Sequence, residues 1–212
     1  MTAGVAGGGP AVLLVCDGNI CRSPAAELLW RARIGSSVPV SSAGLVARVG
    51  EPVAEPMARL LVARGVTPDG FAARQLTPES VAAADLVLTM TTAQRGAVVS
   101  RAPVAVRRTF TLREFADLVG FVDAAQLAGM RSPATRLAAL VEAAPRARAR
   151  RGVMADDIED PYRRSDDVAQ RVLLLVADAV DDIAAALAGN VVPDARDRAA
   201  GLLLPSGEAV SD

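Results

Sequence analysis

The chain has no histidine and no lysine, two cysteines, and only 3% aromatic residues among its 212. The missing imidazole excludes Ser-His-Asp hydrolases, Cys-His proteases, histidine-phosphate phosphatases and the commonest zinc sites. Any nucleophile has to be activated without one. The missing lysine leaves arginine as every one of the 23 basic residues, against 24 acids and a net charge of −1. That balance gives no overall pull toward nucleic acid or an anionic membrane. The two cysteines, Cys16 and Cys21, are neither a zinc ribbon nor a secreted disulfide framework, so a reducing, cytoplasmic compartment is expected. No apolar run reaches membrane-spanning length. Residues 1–10 lack the basic region and apolar core of a signal peptide and read as a flexible tail.

What is present is a chain of 51% hydrophobic residues, enough for one good core and short of two domains. Its organising stretch is Val12-Leu13-Leu14-Val15-Cys16-Asp17-Gly18-Asn19-Ile20-Cys21-Arg22-Ser23-Pro24. Four apolar residues run into Cys16 as in a strand covered on both faces. Ser23 offers an N-cap hydroxyl, Pro24 fits a first helical position, and good helix formers follow. Cys16 is thereby placed at the carboxyl end of a strand, under a helix N-terminus. Backbone N–H groups of residues 17–22 can cradle an oxyanion there, with the helix dipole behind them. Gly18 and Asn19 are the types that adopt positive φ in a tight loop. Arg22 supplies a planar fork for two phosphate oxygens. The same field favours the Cys16 thiolate, and a thiolate is a nucleophile. The Ser23 hydroxyl can donate to the sulfur as it leaves. This is the equipment for phosphoryl transfer to sulfur.

The segment resembles the signature loop of the low-molecular-weight protein tyrosine phosphatases, matching at Val15, Cys16, residues 18–22, Ser23, Pro24 and Glu27. The resemblance implies a single-domain α/β fold of three layers, with a four-stranded parallel sheet, helices on both faces, and a phosphate-binding loop (Asp17, Gly18, Asn19, Ile20, Cys21, Arg22, Ser23) after the first strand. It implies no metal and no cofactor, a phosphotyrosine-containing protein as substrate, and a monomer or weak homodimer. Cys21 is either a small buried residue packing the loop or, as in the family, a partner that captures oxidised Cys16. Ser42 is either an ordinary strand-end serine or, by the resemblance of Ser41-Ser42-Ala43-Gly44, a support for the signature loop. The register through Val49-Gly50-Glu51-Pro52 sets Ala47 where eukaryotic relatives carry an aromatic lining the substrate cleft. One wall for a tyrosyl ring is therefore expected to be missing.

The remaining pattern alternates strands and helices, which predicts βαβ units. Helices are expected at 23–34, at 53–64 closed by Gly65, from Thr77-Pro78, at 91–99, and from 111, where Thr111 and Glu114 form a capping box. Strands are expected at 38–42, 84–90 and 107–111. Phe71, in place of a family histidine, reads as packing. Residues 120–155 are longer than the fold needs and read as an insertion, a surface helix followed by a basic loop at 146–151. That arginine run is either a solvated face or a basic rim attracting acidic phosphopeptides; a nucleic-acid patch would interleave aromatics. The domain is expected at 11–188, ending in a long amphipathic helix over 166–187, with a loose tail at 189–212.

The second chemical stretch is Asp156-Asp157-Ile158-Glu159-Asp160-Pro161-Tyr162. A leaving phenoxide needs a proton, and a carboxylic acid on a mobile loop can deliver it. Taken alone, these acids read as an acidic loop. By resemblance to the family's Asp-Pro-aromatic triplet, Asp160 is the acid and Tyr162 flanks the substrate ring. Crowding of the four carboxylates is expected to help keep that acid protonated. Asp17 departs from the pattern, since the relatives carry a neutral residue there. Pointing to solvent it has little effect; pointing to the ligand it opposes phosphate.

The expectation is thus a phosphotyrosine phosphatase with Cys16 as nucleophile, Arg22 as phosphate clamp and Asp160 as acid, then base. A thiol-dependent arsenate reductase on the same fold would need a relay thiol or an external one. A phosphoprotein-binding module without turnover would rest on Asp17 and Ala47.

Overall fold

The computed structural model describes residues 10–152 and 154–192. Nearly all of the tail expected at 1–10 and most of that expected at 189–212 lie outside the described residues. Four strands, β1 (Val12–Cys16), β2 (Val40–Gly44), β3 (Leu86–Thr89) and β4 (Thr109–Thr111), pair in parallel in the order β2-β1-β3-β4. The helices are α1 (Arg22–Ile34), α2 (Met57–Val62), α3 (Pro78–Ala82), α4 (Thr92–Arg101), α5 (Leu112–Gly120), α6 (Ala124–Leu127), α7 (Pro133–Arg151) and α8 (Asp166–Ala188). Side chains alternate across the sheet. Val12, Leu14, Cys16, Leu88 and Phe110 face a core shared with α1, α5, α7 and α8. Leu13, Val15 and Val87 face a smaller one closed by Val81 of α3 and Val98 of α4. The three expected layers follow. The chain leaves β1 for β2 on one side and returns to β3 on the other, so the strand order reverses at the carboxyl end of β1. Open α/β sheets bind ligands at such a point, and Cys16 sits there.

Local chemistry sets most boundaries as expected. Thr77 caps α3 with Pro78 first in the helix, and Thr111 and Glu114 close the capping box of α5. The predicted helix at 53–64 shrinks to α2, because Pro56 lacks an N–H and disfavours helical φ/ψ at Glu55 before it. β2 starts two residues later than expected and continues to Gly44, which moves Ser42 inside the strand. β4 is shortened because Pro103–Arg108 winds as a 3₁₀ turn. Ser23 is not the N-cap of α1. Cys21 holds that position without a side-chain bond, and the Ser23 hydroxyl is engaged elsewhere.

The stretch expected as an insertion departs most from its expected structure. The basic loop expected at 146–151 is the last part of α7, and Arg148 and Arg151 are neither freely solvated nor a cleft rim, while Arg146 and Arg150 are exposed. Arg148 donates to the Glu114 carboxylate at 2.5 Å and lies over the Phe110 ring at 4.5 Å. Burial works against the ionised Glu114, but Arg148 outweighs it and holds the carboxyl below its usual range. Arg150 donates to the Phe121 carbonyl at 2.9 Å. Arg151 is buried between Asp117 at 2.6 Å and Asp156. With Leu137 and Leu140 fully buried, α7 is a packed part of the core rather than a surface helix.

Candidate active site

Residues 16–23 form a cradle whose shape is set from outside. The carbonyls of Cys16, Asp17, Gly18 and Ile20 accept hydrogen bonds from the backbone N–H groups of Leu45, Val46, Arg48 and Ala54, at 2.9, 3.0, 3.0 and 2.8 Å. A peptide is planar and trans, so a carbonyl turned outward turns the next N–H inward. The N–H groups of Asp17, Gly18, Asn19 and Cys21 are thereby aimed into the loop, and that of Asn19 reaches the Cys16 sulfur at 3.3 Å. Of the two residues expected at positive φ, only Asn19 adopts it, at 52°. Gly44 matters for another reason. A Cβ there would lie 2.4 Å from the Asp17 carbonyl oxygen, so only glycine lets β2 run this close to the loop.

A buried polar network fixes the inside. The Asn19 amide donates to Ser23 Oγ at 2.9 Å and to Ser42 Oγ at 2.8 Å, and its oxygen accepts from the Arg74 N–H at 2.8 Å. Ser42 donates in turn to Glu27 at 2.5 Å. The Glu27 carboxylate is fully buried and paired with Arg31 and Arg74. Ser23 Oγ lies 3.0 Å from Cys16 Sγ. A thiolate can only accept, so toward it Ser23 is the donor. Ser42 is thus joined to the loop through Asn19.

Arg22 is 3% exposed. Its Nη1 donates to the Ile158 carbonyl at 3.1 Å, and its Nη2 lies 2.9 Å from Asp160 and 3.3 Å from Asp17. Its Nε–H, buried beside the cradle, has no hydrogen-bond acceptor among the described residues. Cys16, Asp17, Gly18, Ile20, Cys21, Arg22, Arg48, Asp160 and Tyr162 line a cleft of about 190 Å³. A larger groove of about 350 Å³ between α5, α7 and α8 holds no cysteine or carboxylate and offers no comparable chemistry. Burial, with the neighbouring Cys16 and Asp160, pushes the Cys21 thiol up to about 12 despite Arg22.

Two expectations about the cleft change. Ala47 does not line it; its N–H is tied to Gln75 at 2.9 Å. The wall is Arg48, whose guanidinium lies 4.8 Å from the centroid of the Tyr162 ring, with Arg163 at 5.2 Å. The ring expected to flank a substrate is thus already covered by cations. The carboxylates of the acid loop are not crowded either. Asp156 goes to Arg151, Asp157 to the N–H and hydroxyl of Thr92, Glu159 to Arg171, and Asp160 to Arg22. With the Ile158 N–H on the Met90 carbonyl at 2.9 Å, the loop is anchored at five successive residues rather than loose. Sequence reasoning missed Arg48, Arg74, Gln94 and Arg151. Arg74 and Arg151 carried a signal, as cations that must meet buried carboxylates, but without a fold nothing names the partner.

A parallel α/β sheet with a cysteine-to-arginine phosphate cradle after its first strand defines a phosphatase of the cysteine-dependent type. The model of the low molecular weight phosphotyrosine protein phosphatase family matches residues 11–125, and the chain belongs to that family. It is 39% identical over 103 residues to a probable low molecular weight protein-tyrosine-phosphatase, EpsP, of Ralstonia nicotianae, spanning 49% of this chain and 70% of the relative. It is 36% identical over 104 residues to a protein-arginine-phosphatase of Geobacillus stearothermophilus, spanning 49% and 70%. The crystal structure of a low molecular weight protein tyrosine phosphatase from T. tengcongensis superposes with a TM-score of 0.61 at 26% identity, covering 82% of this chain and 97% of that one.

Proposed function

We propose that this phosphatase hydrolyses phosphotyrosine on proteins through a cysteinyl-phosphate intermediate, in the reducing environment of the cytoplasm. The observation that carries the reading is the cradle itself, with Cys16 sulfur at its floor, inward N–H groups around it, and Arg22 between Cys16 and Asp160. The Cys16 thiolate attacks phosphorus on the side away from the phenolic oxygen. As the S–P bond forms and the P–O bond breaks, the loop N–H groups and Arg22 hold the equatorial oxygens, and Asp160 gives its proton to the departing phenoxide. Water then attacks phosphorus, Asp160 takes its proton, and inorganic phosphate leaves. The freed sulfur is stabilised by the Ser23 hydroxyl and the Asn19 N–H.

An arsenate reductase relay finds no support. Cys21 is the only other cysteine, and a thiol held at about 12 is almost wholly protonated at neutral pH. Phosphoarginine is the second substrate to test, because two half-exposed carboxylates, Asp17 and Asp160, stand at the cleft mouth, where a guanidinium leaving group would meet them. The test is hydrolysis of an aryl phosphate and of both phosphopeptides without metal, under reducing conditions. Activity is expected on the aryl phosphate, absent in Cys16→Ser and lower by about a hundredfold in Asp160→Ala. Full activity in Cys16→Ser would overturn the mechanism.

A further inference from the structure

The least expected residue of the cradle is Asp17, and its side chain is neither loose in solvent nor turned out of the site. Asp17 Oδ2 lies 3.3 Å from Arg22 Nη2 and accepts from Gln94 Nε2 at 2.6 Å. Gln94 is buried in the first turn of α4, and its Oε1 accepts the Met90 N–H at 3.0 Å. That second bond fixes which way the amide faces, so the N–H end must point to Asp17. The main chain cannot carry the carboxylate away, because the Asp17 carbonyl is held by Val46 at 3.0 Å. Asp160 takes the same guanidinium nitrogen at 2.9 Å. One corner of Arg22, in a cradle built for an anion, thus faces two carboxylates before any phosphate arrives.

We propose that Asp17, oriented by Gln94, is a built-in counter-anion of Arg22 that stays beside the phosphoryl group when it binds, and that it sets a weak affinity of this site for phosphate. The proposal rests on the reading of residues 16–23 as a phosphate site. Its physical content is charge. A phosphate dianion brought to Arg22 meets a fixed carboxylate at contact range, and half-exposure screens the repulsion without removing it. The interaction opposes substrate, phosphoenzyme and inorganic phosphate alike, so it acts on binding more than on turnover. Weak retention of inorganic phosphate then speeds clearance of the product. Asp17 acts on affinity, through its charge beside Arg22, and takes no part in bond making.

The test is calorimetric titration of the purified protein with inorganic phosphate, which needs no turnover. It is run on wild type, Asp17→Thr and Asp17→Ala, with aryl phosphate kinetics alongside. Both variants are expected to bind phosphate about tenfold more tightly, with KM falling in proportion and kcat moving little. Equal or weaker phosphate binding in the folded variants overturns the proposal while leaving the phosphatase reading intact. Absence of phosphate binding in wild type and variants alike overturns the phosphate site beneath it.

Discussion

The two loops that meet at Arg22 are held in different ways. The signature loop is fixed by one neighbouring segment, residues 44–54, through backbone bonds to four of its carbonyls, and by an amide-hydroxyl network centred on Asn19 that meets charge only at its far end, on Glu27. The acid loop is fixed by charge, through Arg151 of α7, Arg22 of α1, Arg171 of α8 and the start of α4. Backbone bonds specify a shape to tenths of an ångström. Ion pairs between long side chains specify a position, and their worth depends on how much water reaches them. Residues 120–155 therefore have a role that length alone does not suggest. They deliver a buried arginine to the root of the loop that carries Asp160.

The sharpest way to break the comparison is at Gly44. A methyl group there would sit 2.4 Å from the Asp17 carbonyl, and backbone is on both sides of the clash. Gly44→Ala is expected to push the cradle out of register and lower kcat/KM by about a hundredfold, since displacements of about 1 Å in an active site cost that much. Aryl phosphate kinetics on the folded variant test it. Activity near wild type would mean that the loop is held less tightly than its four carbonyl bonds imply.

Next in size is Arg151→Leu. Its guanidinium is buried, and Asp117 and Asp156 are largely so. Removing one partner of such a cluster costs about 3 kcal/mol, read as a lower midpoint in denaturant. With Asp156 released, Asp160 is held less well. The expected signature is a fall of about tenfold on an alkyl phosphate and a much smaller one on a nitrophenyl phosphate, whose leaving group hardly needs an acid. Equal losses on both substrates would assign Arg151 to stability alone.

This contrast also explains what could be read from the sequence. The strand, loop and helix order around Cys16 was legible because each choice is local: an apolar run, small loop residues, and helix formers after them. Thr77-Pro78 and Thr111 with Glu114 were legible for the same reason. Ser23 was misassigned as a cap because a hydroxyl at a helix start can accept from a helix N–H or donate to another group, and the sulfur seven residues back is visible only once the loop is folded. Arg148 and Arg151 were misread because an arginine in a run looks solvated until its carboxylates, 34 residues earlier in the case of Asp117 and Arg151, are brought beside it; Arg146 and Arg150 are exposed as the solvated-face reading has them. Ala47 is one position from the residue that lines the cleft. The turn after Gly44, not the register through Val49-Gly50-Glu51-Pro52, decides that Arg48 faces Tyr162.

Within the signature loop, Cys21 gives a smaller, pH-gated effect. Below its ordinary value of 9.0 both folded and unfolded chains keep the proton. Between 9.0 and about 12 the unfolded chain loses it while the folded one retains it, so folding stability declines as pH rises through that window. Cys21→Ser is expected to flatten this alkaline decline and to change stability little near neutral pH, as read from denaturant midpoints between pH 7 and 11. At pH 7.5 iodoacetamide should leave Cys21 unmodified in the native protein. An alkaline slope that persists unchanged in Cys21→Ser would place the titrating group elsewhere.

The smallest effect belongs to the outermost anchor of the acid loop. Arg171 and Glu159 pair at 3.2 Å with both side chains about half exposed. An ion pair of that kind contributes about 0.5 kcal/mol or less and weakens with salt. Arg171→Gln is therefore expected to move the denaturation midpoint marginally and kcat/KM by less than about twofold. The value of the measurement lies beside Arg151→Leu, because the two arginines hold carboxylates three residues apart on one loop and differ chiefly in burial. If Arg171→Gln proved as damaging as Arg151→Leu, the loop would be held by the sum of its charges. If it is silent, the buried contact at Asp156 and the backbone bonds of Ile158 position Asp160, and Glu159 is a solvated neighbour.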